Sequence, residues 1–179
     1  MKKIIGVFAG LLLLQCSLRA LDASVTFATF KANAIQYVEV GLFVVGTTVT
    51  YAPVDSVHQQ ASVEVVILFK QKGEIVRFDK FQLNSPLVVR PKDFIDLKRY
   101  SLDSGEYELE VTMQDVNQPE NTKTYQAGFS IDYQRDGVLQ SDIQLLSSVE
   151  PSEEEGPFVK NGYHMGPFPS IFTEKMPKN

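Results

Sequence analysis

Between residues 105 and 114 the chain alternates strictly. Tyr107, Leu109, Val111 and Met113 are apolar, and Glu106, Glu108, Glu110 and Thr112 are polar. A period of two puts the first set on one face of a β-strand and the second on the other. Segment 123–133 repeats the pattern, with Tyr125, Ala127, Phe129, Ile131 and Tyr133 in phase. Turn formers fill 115–122 between them, so the pair predicts a hairpin. Upstream, Val63, Val65, Ile67 and Phe69 share a face and stop at Gln71-Lys72-Gly73-Glu74, a tight turn. The next strand starts with Val76 and Phe78 in phase and resumes with Phe81 and Leu83 out of phase. Such a slip predicts a β-bulge near Asp79 or Lys80. Segments 25–30, 35–45 and 47–52 supply three more strands, with Gly46 turning between the last two. The adjacent Val44 and Val45 predict a stretch covered on both faces.

Helical spacing is nearly absent. Phe94, Ile95, Leu97 and Leu102 would dress one or two turns, so 92–102 reads as a loop with at most a short helix. Leu139, Ile143 and Leu145 suggest one last strand on an edge. Seven to eight short strands separated by turns predict an all-β chain, an immunoglobulin-like antiparallel β-sandwich over 21–149. One local pattern sharpens this. Leu102-Asp103-Ser104-Gly105-Glu106-Tyr107-Glu108-Leu109 has the spacing of a tyrosine corner, in which Tyr107 bonds back to backbone around Asp103. Leu109 then takes the buried place that cysteine fills in antibody domains. The chain has no tryptophan, which sets it apart from those domains.

Beyond residue 149 the pattern changes. Pro151, Pro157, Pro167, Pro169 and Pro177 are five of the nine prolines, and Glu153, Glu154 and Glu155 form a charge run. Proline cannot donate to a ladder, so 150–179 is expected to be an extended tail without regular sheet. Phe158, Val159, Tyr163, Met165, Phe168, Ile171 and Phe172 are too apolar for a purely solvated linker. The tail is therefore expected to cling to a surface, with Phe158, Val159 and Tyr163 packed on the sandwich.

The first twenty residues bear on compartment. Lys2 and Lys3 precede an uncharged apolar run over 4–14, and a short polar stretch leads to Ala20. That order is a secretory signal peptide over 1–20, too short in its apolar run to serve as a transmembrane segment. Cleavage after Ala20 would discard Cys16. The alternative is a lipid anchor at Cys16, since Leu13-Leu14-Gln15-Cys16 has the form of a lipobox, with Gln15 where a small residue is usual. Loss of the leader lowers the basic count from 17 to 14 against 22 acidic residues, taking the net charge from −5 to −8. Phosphate binding needs clustered Lys and Arg, so nucleic acid is not an expected partner. Cys16 is the only cysteine. Without it no disulfide, thiolate zinc site or thiol nucleophile is available, and the fold rests on its apolar core.

The catalytic inventory is sparse. His58 and His164 have no cysteine or acidic pair at metal-ligand spacing, and no nucleophile elbow, phosphate loop or zinc helix occurs. Asp115, Asn117, Glu120 and Asn121 could offer oxygens to calcium, but they are also ordinary turn residues. Tyr37, Tyr51 and Tyr133 are the candidates for an aromatic sugar-binding platform. No cofactor is expected, and no catalytic or metal-binding residue is assigned.

Several segments together resemble the amino-terminal region of the GWxTD-domain proteins, exported bacterial proteins without an established activity. They are Leu21-Asp22-Ala23-Ser24-Val25-Thr26-Phe27, Tyr37-Val38-Glu39-Val40, Gly105-Glu106-Tyr107-Glu108-Leu109 and Ser141-Asp142-Ile143-Gln144-Leu145. Phe158-Val159-Lys160-Asn161-Gly162 running into Pro167-Phe168-Pro169 completes the set. The family's naming motif needs a tryptophan, which this chain lacks. The resemblance implies a first domain whose natural chain continues past Asn179, and it carries over no functional residue. The expected function is a non-catalytic interaction or scaffolding domain of an exported, periplasmic or extracellular envelope protein. Its partner would be another protein or a downstream domain of the same polypeptide. The alternative is a module that binds glycans or small ligands.

Overall fold

The computed structural model of the chain describes residues 20–32, 35–133 and 139–168. Residues 1–19, with Cys16, and Pro169, Ile171, Phe172 and Pro177 of the tail lie outside them. The strands, in chain order, begin with β1 (Ala23–Ala32), β2 (Ile35–Val44), β3 (Tyr51–Pro53) and β4 (Gln59–Gln71). They continue with β5 (Glu74–Asn84), β6 (Phe94–Ser101), β7 (Gly105–Asp115) and β8 (Thr122–Ile131). Three more follow: β9 (Leu146–Pro151), β10 (Val159–Lys160) and β11 (Tyr163–Pro167). All pairings between them are antiparallel.

Two sheets pack face to face as a sandwich. One has the order β1-β2-β6; the other runs β5-β4-β7-β8, with β3 pairing the first residues of β4. Their inner faces come from the alternating positions. Val38, Val40, Leu42 and Val44 of β2 meet Val63, Val65, Ile67 and Phe69 of β4 and Leu109 and Val111 of β7. Each of these is at most 1 % exposed. Burying a side chain of this size contributes about 1.5–3 kcal/mol, so this stripe anchors the fold. Phe69 against Tyr100, with centroids 5.0 Å apart, and Phe27 against Phe129, at 5.4 Å, join the two sheets.

Four local expectations are corrected. The slip in β5 sits at Val76, because Phe69 pairs with Arg77 and Lys70 with Ile75. No bulge falls at Asp79 or Lys80; 77–84 keeps one register, with Phe81 and Leu83 inward and Phe78 outward opposite Leu68. At the end of an edge strand apolar residues do not report burial, so their phase misled. Segment 92–102 holds no helix but strand β6. Phe94 and Tyr100 fill its inner face and Leu97 its outer face, all buried, and apolar residues on both faces imitate a helical period. Residues 47–52 do not make one strand. A 3₁₀ turn spans Gly46–Thr48 and the short β3 follows. Segment 139–145 is not a strand; it lies against β1, where the Asp142 N–H bonds to the Thr29 carbonyl at 3.0 Å.

The tail also departs from expectation, since β9, β11 and β10 form a small antiparallel sheet. Asn161 and Gly162, with φ of 53° and 80°, make a two-residue hairpin turn between β10 and β11. That turn needs positive φ at both positions, which Asn and Gly tolerate best. Pro151 and Pro167 stand at strand ends, where a missing N–H does little harm. Phe158 and Val159 are half-buried, whereas Tyr163 is exposed.

Candidate functional site

Cross-strand register makes Ala28, Glu39 and Arg99 neighbours on the outer face of the three-stranded sheet. Thr26, Gly41 and Leu97 form the next row. An outward glutamate would normally be solvated, yet Glu39 is 2 % exposed. The C-terminal segment covers it. Asp142 Oδ2 accepts the Thr29 N–H and the Thr29 hydroxyl, both at 2.8 Å, which ties 139–145 to β1. Lys160 reaches down from β10 to Glu39, and its ammonium lies 4.3 Å from the Phe30 ring centre and 5.6 Å from that of Tyr37.

Glu39 Oε1 thus takes two cations, Arg99 Nε at 2.7 Å and Lys160 Nζ at 2.5 Å. Its Oε2 is buried and has no protein partner. Beside it lies a groove of about 160 Å³, lined by Thr26, Ala28, Glu39, Ile143, Leu145 and Phe168 among others. Ile143, Leu145 and Phe168 are 79 %, 56 % and 45 % exposed, so the groove has an open, apolar rim.

A second feature is the free edge of the larger sheet. Strand β5 pairs with β4, and among the described residues nothing hydrogen-bonds to its other backbone edge in a ladder. Ile75, Val76 and Phe78 are 56 %, 50 % and 69 % exposed. Between them Arg77 and, beyond Phe78, Asp79 lean on Tyr100 of β6. The Tyr100 hydroxyl donates to Asp79 Oδ2 at 2.8 Å, and the Arg77 guanidinium lies 5.3 Å from the ring centre. Burial and the Asp79 carboxylate push the Tyr100 hydroxyl far above its ordinary range. Arg77 also donates to the Ser101 carbonyl at 3.1 Å.

The residues singled out from the sequence fall elsewhere. Tyr107 is buried, and its hydroxyl donates to the Asp103 carbonyl at 2.9 Å, stapling the loop before β7. Asp115 is wholly buried and accepts the N–H groups of Thr50 at 2.6 Å and Asn117 at 2.9 Å. Asn121 accepts the Leu21 N–H and donates to the Thr48 carbonyl. These oxygens bind loops to one another, and among the described residues no acidic or histidine cluster could hold a metal. Tyr133 is buried against the Thr29 hydroxyl, Tyr51 bonds to the Lys92 carbonyl, and Tyr37 packs tilted against Phe30 near Lys160. They share no platform. His58 pairs with Asp55 at 2.9 Å in the β3–β4 turn, and His164 lies exposed on β11.

Among the described residues, Asp55 and Glu110 are the carboxylates with a displaced pKa, and each is displaced downward. Backbone N–H groups of His58 and Val57 hold Asp55 at about 2. Lys70 at 2.8 Å and Gln126 at 2.7 Å hold Glu110 below the usual range. Neither Glu39 nor the β5 edge was singled out by sequence reasoning. The signal for Glu39 was a lone acid within the apolar run of β2. For β5 it was the out-of-phase Val76 and Phe78. Comparison with protein-family models, curated proteins and solved structures finds no match. No helix of the described residues is long and apolar enough to cross a membrane.

Proposed function

We propose that this chain is a non-catalytic interaction domain of an exported bacterial envelope protein, built on an immunoglobulin-like sandwich. The carrying observation is the free strand β5, which presents Ile75, Val76 and Phe78 to solvent along an unpaired backbone edge. Such an edge invites another strand, and its side chains supply the grip. Three strands, β1-β2-β6, packed on β5-β4-β7-β8 support the immunoglobulin-like reading, as does Tyr107 bonded back from the start of β7. The signal-peptide pattern of 1–20 and the resemblance to GWxTD-domain proteins support export. A photo-crosslinking amino acid at position 78 tests the reading in intact cells. The expected result is discrete protein adducts, lost when Val76 is also changed to Pro. Absence of any adduct at 78 sinks it.

A second reading, a small-ligand module, is favoured by the Glu39 groove. With Arg99 and Lys160 on one carboxylate the trio carries one net positive charge, so Oε2 suits a neutral donor such as a hydroxyl rather than a third cation. Backbone shift mapping with N-acetylglucosamine should move 26–28, 39 and 143–145, and Ala28→Leu, which fills the groove, should remove the response. Shifts elsewhere, or shifts indifferent to that substitution, dismiss it.

A further inference from the structure

Resting on the interaction reading, we infer that the partner of β5 is a second copy of the same chain, paired antiparallel about a two-fold axis through Phe78. The two sandwiches then share one continuous sheet, with β5 beside β5 at its centre.

The register follows from symmetry and charge. A two-fold axis relating two antiparallel strands of one sheet stands perpendicular to that sheet, so one residue faces its own copy and its neighbours pair at equal steps on either side. The exposed stretch reads Val76-Arg77-Phe78-Asp79-Lys80. Centring on Arg77, Asp79 or Lys80 sets identical charges opposite one another, which destabilises a ladder. Centring on Val76 puts the axis on the bulged residue, where the ladder is already interrupted. Centring on Phe81 sets Phe78, the most exposed apolar residue of the strand, against Asn84.

Centring on Phe78 avoids all of these. Arg77 then faces Asp79 of the second copy, and Asp79 faces its Arg77, giving two opposite-charge pairs by symmetry. Both side chains are already steered by Tyr100, so little freedom is lost in making them. Phe78 meets its own copy on the outer face, and its cross-strand neighbour Leu68 extends the apolar row into each sheet. Lys80 would ordinarily guard an edge against such pairing. Here it is drawn aside to Glu64 of β4 at 2.8 Å, away from the free edge.

The test uses the full exported chain with Cys16→Ser. Sedimentation velocity should show conversion from one copy to two as concentration rises. Arg77→Asp should abolish the dimer by facing two acids, and Arg77→Asp with Asp79→Arg should restore it; thermal melts check that each variant remains folded. Phe78→Cys, placed on the axis, should oxidise to a disulfide-linked dimer, whereas Lys80→Cys should not, because residue 80 faces residue 76. A monomer at all concentrations, a dimer indifferent to charge reversal, or crosslinking at 80 as efficient as at 78 overturns the inference. If adducts at position 78 contain only other proteins, the self-pairing fails while the interaction reading stands. If position 78 yields no adduct at all, both fail.

Discussion

Tyr107 illustrates how single residues stabilise this molecule. Its ring stacks on Phe129, with centroids 5.4 Å apart, and its hydroxyl reaches the Asp103 carbonyl. Removing the hydroxyl keeps the ring and leaves one carbonyl without its donor. Tyr107→Phe should therefore cost about 1 kcal/mol and lower the melting temperature without changing the fold, as calorimetry and a circular-dichroism spectrum would check. An unchanged melting temperature would show the bond to be dispensable. The spacing from Asp103 to Leu109 made this position legible because a tyrosine corner is a local device. Asp115 and Asn121 were not legible in the same way. Their composition says turn, but their bonds reach Thr50, Leu21 and Thr48, and only folding brings those backbone groups within range.

At the scale of elements, a strand is readable where one face is buried and the other wet. Strands β4 and β7 meet that condition, with buried and less-buried residues alternating along both. Strand β6 does not, since Leu97 on its outer face is as buried as Phe94 on its inner face. The cover itself, β9 to β11, was obscured by its prolines, although Asn161-Gly162 is a strong hairpin signal. Lys160 is the clasp of this cover: it neutralises a buried carboxylate and rests on Phe30 and Tyr37. Taking away one partner of a buried ion cluster leaves charge uncompensated. Lys160→Met should thus speed amide exchange across 146–168, while β4 and β7 stay protected. Exchange that stays slow in β9 to β11 would show that the cover is held by Asp142 and apolar contacts alone.

For the whole molecule, sequence by itself determined the sandwich. Alternation with period two, turn residues between the runs and an apolar total sufficient for one core specify antiparallel sheets that must bury a face, and each of these is a property of neighbours in the chain. Tertiary structure alone decided which edges stayed free and which faces were covered. Whether Phe78, on the outer face of β5, meets solvent depends on whether another segment comes to cover that face. Whether Glu39 is solvated or buried depends on a segment that returns more than a hundred residues later. Both depend on distances through space between residues remote in sequence, and no local pattern encodes those distances.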